Sequence, residues 1–177
     1  MTMISPHLLS RLKWEDQELI EAQRRLPIRI LTRAGNTYII SCQIPSIRYA
    51  DPKLVRLYLN GGVLGLMRIA THEIQDDDLA LISTEPVIMK VVLQLSETKG
   101  VGIPLVEIIS PLCHPHILRR MCLGESWSPE RSFASMLPGI IDCLLFKPGT
   151  YRLLDALNPS AAQYFQRQSR FKLPLEV

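Results

Sequence analysis

The run from Pro86 to Leu95, PVIMKVVLQL, constrains this chain more than any other stretch. Val87, Met89, Val91, Leu93 and Leu95 alternate with Ile88, Lys90, Val92 and Gln94. Successive side chains of a strand point to opposite faces, so this pattern predicts a strand with one face in a core. LVEIIS, residues 105–110, predicts a second strand, with SETKGVGIP between them as a loop. Upstream, IRILTR and NTYIISCQI read as a hairpin turning at Ala34-Gly35-Asn36. Tyr38, Ile40, Cys42 and Ile44 then share one face, which makes Cys42 a core residue.

Helices are expected before and after these strands. Leu8, Leu12, Leu19 and Leu26 recur near helical spacing over residues 6–26, with Glu15, Asp16, Arg24 and Arg25 on the surface. Ser5-Pro6 is a suitable start and Pro27 a stop. SFASMLPGIIDCLLF predicts a later helix with a kink at Pro138. NPSAAQYFQRQSR predicts a last one, with Asn158 as cap and Pro159 in its first turn. Between residues 46 and 84, DPKLVRLYL suggests a short helix and NGGVLGLMRIA a turn followed by a strand. The acidic QDDD suggests a solvated loop or helix start, and His72 a surface position. Helix, antiparallel strands, irregular segment, then helices is an α+β order and not a βαβ alternation.

The chain has 177 residues, 47% of them hydrophobic and 21% charged, which suits one domain over residues 1–177. A net charge of +3 is mild. Its clusters at Arg24–Arg25, Arg119–Arg120 and Arg167–Lys172 are small and scattered, so no nucleic-acid partner is expected. Charge follows the N-terminus too soon for a targeting core, and no membrane partner is expected. Four irregularly spaced cysteines make no disulfide framework. The reading is a cytoplasmic protein with reduced thiols.

Chemistry concentrates in ISPLCHPHILRRMCLGESWSPERSF, residues 109–133. Cys113, His114, His116 and Cys122 are all metal-capable residue types, but their spacing does not build a tetrahedron, so no metal is assigned. Cys113 and Cys143 lie in apolar surroundings and read as core. Cys122 stands outside any periodic apolar run, beside arginines that favour a thiolate. Core residue and nucleophile both stay open for it on these grounds.

HPHILRRMCLGESWSP resembles the active-site segment of ubiquitin-conjugating enzymes. In that family a His-Pro-Asn turn precedes the catalytic cysteine, and leucine and a Trp-Ser-Pro element follow it. Here the matching parts are His114-Pro115-His116, Cys122-Leu123 and Trp127-Ser128-Pro129. DALNPSAAQYF resembles the family's Asp-x-Leu-Asn-Pro-x-Ala-Ala-x-x-Tyr segment. The match covers residues 104–168, and the earlier elements agree in order. His116 replaces the family asparagine, the spacings around Cys122 are shorter, and the proline-rich segment before the turn is reduced to GVGIP. These departures resemble divergent bacterial members, which are encoded with a ubiquitin-like protein and an adenylating activating enzyme, in several cases for antiviral defence.

The resemblance implies a ubiquitin-conjugating-like α+β fold with an atypical insertion at about residues 46–84. It implies a ubiquitin-like protein transferase with no cofactor. Cys122 would carry a ubiquitin-like protein as a thioester, received from the activating enzyme and passed to an amine of a protein target. His116 would stabilise the oxyanion or brace the loop, and Asp155 would orient the attacking amine or complement a helix start. His114, Pro115, Trp127 and Pro129 would support the loop. An inactive scaffold of the same fold and an unrelated cysteine hydrolase, with His114 or His116 as base, are the competing readings.

Overall fold

A computed structural model describes residues 5–71, 80–96, 100–121, 127–150, 157–167 and 171–176. Helix α1 spans Pro6–Ala22. Strands β1 (Ile28–Ala34), β2 (Thr37–Cys42) and β3 (Ser46–Tyr49) follow. Next come α2 (Pro52–Asn60), α3 (Gly62–Thr71), β4 (Ala80–Ser83), β5 (Val87–Ser96) and β6 (Gly100–Ile108). The short strands β7 (Ile117–Leu118) and β8 (Arg120–Met121) precede a 3-10 turn at Phe133–Met136, α4 (Leu137–Leu144) and α5 (Pro159–Arg167). The architecture is α+β.

One sheet has the order β1-β2-β5-β6-β8-β7, and every pairing in it is antiparallel. β5 lies inside it, as its alternation requires. Val87, Met89, Val91 and Leu93 are buried, while Gln94 on the opposite face is exposed. The hairpin turns at Gly35, whose φ of 59° suits a residue without a Cβ. Tyr38, Ile40, Cys42 and Ile44 are all buried, as their alternation predicts.

β6 is longer than expected, because GVGIP belongs to the strand and not to a loop. The pairings Val92↔Leu105 and Gln94↔Gly102 leave Ile103 and Pro104 together opposite Leu93. That is a bulge, and a bulge is where a strand accommodates a proline that cannot donate to the ladder.

Four expectations about the helices change. α1 ends at Ala22, and Arg24 and Arg25 lie in the turn after it, ion-paired to Glu21. Glu15 is buried, not at the surface. Pro138 sits in the first turn of α4, where a missing N–H costs nothing, so it starts that helix and does not kink it. GVLGLMRIAT forms α3 and not a strand. The joint needs its glycines: Gly62 has φ 55°, and a Cβ at Gly65 would stand 2.8 Å from the Leu57 carbonyl oxygen.

α2 and α3 lie in the chain between β3 and β4, which pair as a separate two-stranded sheet. Leu54, Tyr58 and Ile69 join the same core cluster as β2, β5 and α4. The Tyr58 hydroxyl donates to the Ile108 carbonyl at 3.0 Å. Arg48 ties β3 to Glu85 and to the Pro86 carbonyl. The acidic run Asp76–Asp78 and His72 lie outside the described residues.

Candidate active site at the His114 turn

After β6 the chain enters the core at Leu112, Cys113 and His114, then reverses through Pro115 and His116 into β7. The Ile117 N–H donates to the His114 carbonyl at 3.3 Å, closing the turn. Pro115 stands second in this four-residue turn, where its fixed φ is favourable. β8 then returns beside β6, with Met121 opposite Val106. Between the two strands Arg119 takes φ 67°, and its carbonyl accepts the Ile108 N–H.

His114 is the centre of this arrangement. The His116 backbone N–H donates to its Nδ1 at 3.1 Å. Nδ1 is therefore an acceptor, so the neutral ring must carry its proton on Nε2, which donates to the Cys143 carbonyl at 2.8 Å. The ring lies 4.3 Å from that of Phe146, centroid to centroid. Burial disfavours the charged ring and lowers its pKa to about 4, outweighing the Cys143 hydrogen bond. A ring with both nitrogens bonded and this pKa holds the turn and is a poor general base.

The turn is locked from a second side by Asn158. Its backbone N–H donates to the Pro115 carbonyl at 2.8 Å. Its side-chain Nδ2 donates to the buried Tyr49 hydroxyl at 2.8 Å, and its Oδ1 accepts from the Ala161 N–H at 3.3 Å as the cap of α5. Asn158 thus ties β3, the turn and α5 together. The Ser160 hydroxyl extends the network, lying 2.8 Å from the Ile69 carbonyl of α3.

His116 is half-buried, its ring centroid 6.3 Å from that of His114. Pro115 is buried and Pro129 exposed. Trp127 is half-buried against the core, and its indole N–H is buried without a partner among the described residues. Cys122 and Asp155 lie outside the described residues. Met121 of β8, directly before Cys122, is described, as is Asn158, three positions after Asp155.

The other three cysteines are free and buried. Burial pushes the thiols of Cys42 and Cys113 up to about 12 and that of Cys143 to about 11. None of them offers a thiolate near neutral pH.

Arg11 and Glu15 were not expected here. Glu15 is fully buried on α1, and its Oε2 accepts the Phe133 N–H at 2.9 Å. Arg11 donates to Glu15 Oε1 and to the carbonyls of Pro129 and Arg131. This pair fastens the segment after Trp127 to the first helix. Burial raises the Glu15 pKa, against the Phe133 N–H and Arg11, which both lower it. A signal was available: positions 8, 12, 15 and 19 form one helical stripe, and a carboxylate in a leucine stripe calls for a partner.

A scan against protein-family models gives no match for this chain, and a search of curated proteins gives none.

Proposed function

We propose that the protein is a ubiquitin-conjugating-like transferase in which Cys122 carries a ubiquitin-like protein as a thioester. The observation that carries this reading is the burial of the other three cysteines. Cys42, Cys113 and Cys143 are buried, with raised thiol pKa values. The fourth follows a turn fixed from two sides and precedes a segment fastened to α1. A nucleophile that must accept and release a protein-sized group needs a fixed setting outside the core.

In the first step the Cys122 thiolate attacks the thioester carbonyl joining the modifier to its activating enzyme, and the enzyme's thiolate leaves. In the second, a target amine attacks the new thioester, the Cys122 thiolate leaves, and the amine loses its proton. The tetrahedral oxyanion of each step requires a donor. His116, at the edge of the locked turn, is the residue assigned that task, and Asp155 is assigned to orient the amine. The buried state of His114 supports this reading over a cysteine hydrolase, whose first base candidate is thereby spent on structure.

The test is incubation with an adenylating enzyme, a ubiquitin-like protein and ATP. The expected product is an adduct lost on reduction and absent from Cys122→Ala, with Cys122→Ser giving a reductant-resistant oxyester. An adduct that persists in Cys122→Ala, or no adduct with any competent activating enzyme, overturns the proposal.

A further inference from the structure

The outer face of α2 and α3 takes no part in the cysteine site. α3 carries Val63, Leu64 and Met67 at 75%, 73% and 58% exposure, the most exposed large apolar side chains among the described residues. Their spacing puts all three on one side of the helix. Leu59, at 42% exposure, lies at the end of α2 just before the joint. Four large apolar side chains held in water at one corner are a recognition surface in the making.

The two helices themselves carry charge of one sign, with Asp51 as the cap of α2 and Glu73 and Asp76–Asp78 outside the described residues. Residues 52–71 contain Lys53, Arg56 and Arg68 and no aspartate or glutamate. All three cations are exposed, and none is ion-paired among the described residues. Elsewhere basic residues sit beside acids, as in Arg33–Asp16, Arg119–Glu107 and Lys147–Asp142.

We infer that this face docks an acidic amphipathic helix of a protein partner. The apolar side chains fit the leucine stripe of such a helix, and Lys53, Arg56 and Arg68 meet the carboxylates flanking it. A helical surface offers no free strand edge, so the partner must bring its own satisfied backbone, as a helix does. A second copy is disfavoured, because two such faces would set like charges against each other. A lipid surface is disfavoured too, since three cations without an exposed Trp or Tyr anchor in 52–71 hold a membrane weakly.

The inference does not depend on the thioester proposal and has its own test. The probe is a fluorescent synthetic helical peptide with leucine at every third or fourth position and glutamate between. The wild-type chain should bind it at least about tenfold more tightly than the same peptide with lysine in place of glutamate, with affinity falling as salt rises. The pairs Leu64→Ser with Met67→Ser, and Arg56→Glu with Arg68→Glu, should each weaken binding about tenfold while the thermal melt stays unchanged. Equal binding of the two peptides, or binding untouched by either pair, overturns the inference. So does binding only to phosphatidylserine vesicles, or self-association that Leu64→Ser abolishes without any peptide affinity.

Discussion

The two flanks of Cys122 are held by different physics. Before it, the turn from Leu112 to Ile117 is fixed by buried, uncharged hydrogen bonds: His114 to Cys143, His116 to His114, Asn158 to Pro115. After it, residues 129–133 are fixed by a charged pair, Arg11 and Glu15, reaching across from α1. Neutral buried bonds are little affected by salt but fail completely when one partner is lost. A buried ion pair adds the cost of stranding a charge. The upstream flank therefore sets geometry once, at folding. The downstream flank depends on α1 staying docked.

The largest expected effect tests the charged side. Arg11→Ala leaves the Glu15 carboxylate buried without its cation and should cost about 4 kcal/mol of stability, measured by urea denaturation near pH 7.5. Arg11→Lys restores the charge without the fork that reaches two carbonyls and should recover only part of it. A loss under about 1 kcal/mol for the alanine variant would mean that the pair is ornamental and the two flanks are alike.

His114→Ala comes next. It leaves the Cys143 carbonyl and the His116 N–H without partners and opens space beside Phe146. The expected cost is about 3 kcal/mol, with thioester formation by the surviving folded protein also impaired. An intact turn with near-native stability would break the claim that neutral bonds set the upstream geometry.

The pH dependence separates the flanks further. The His114 pKa is lowered to about 4 in the folded protein, from 6.5. Between those values the unfolded chain binds a proton that the folded chain does not, so stability is full above 6.5 and falls as pH drops towards 4. The loss amounts to about 3 kcal/mol over the window, roughly 1.4 kcal/mol for each pH unit. Glu15 works in the opposite direction: its raised pKa keeps a proton in the folded state just above 4.5, so it favours folding as pH falls. The stability gap between wild type and His114→Ala cancels the Glu15 contribution and should narrow as pH falls from 7 to 4.5. A gap constant with pH would show that His114 can charge in place.

How much of this was legible beforehand follows the range of the interactions. The alternation in 86–95 and the Asn158-Pro159 start are local signals, and β5 and α5 stand where those signals put them. VLGLM is a short apolar run with an internal glycine, and periodicity alone does not separate strand from helix there. Packing against α2 and α5 decided for the helix. The strand character of GVGIP was hidden because its proline is tolerated only through a bulge that depends on the register with β5. The resemblance placed His114 at the turn. Its partner Cys143 is 29 positions away, and no local pattern announces that bond. The leucine stripe through Glu15 signals its burial, but the targets of Arg11 and Glu15 lie more than a hundred residues downstream, where no local pattern points.

The smallest expected effect is the sharpest probe of the downstream flank. The Trp127 indole N–H is buried and has no partner among the described residues, while its ring packs against the core. A buried donor without an acceptor is a standing cost, of about 1–3 kcal/mol. Trp127→Phe removes the donor and keeps most of the apolar contact, so the two changes oppose each other. The net change should lie within about 1 kcal/mol of zero, whereas Trp127→Ala, which gives up the ring as well, should cost about 3 kcal/mol. The pair of variants therefore separates the ring from its N–H. If Trp127→Phe proves as damaging as Trp127→Ala, the N–H is satisfied after all. The downstream flank would then be held by a neutral hydrogen bond too, and the contrast between the flanks would rest on Arg11 and Glu15 alone.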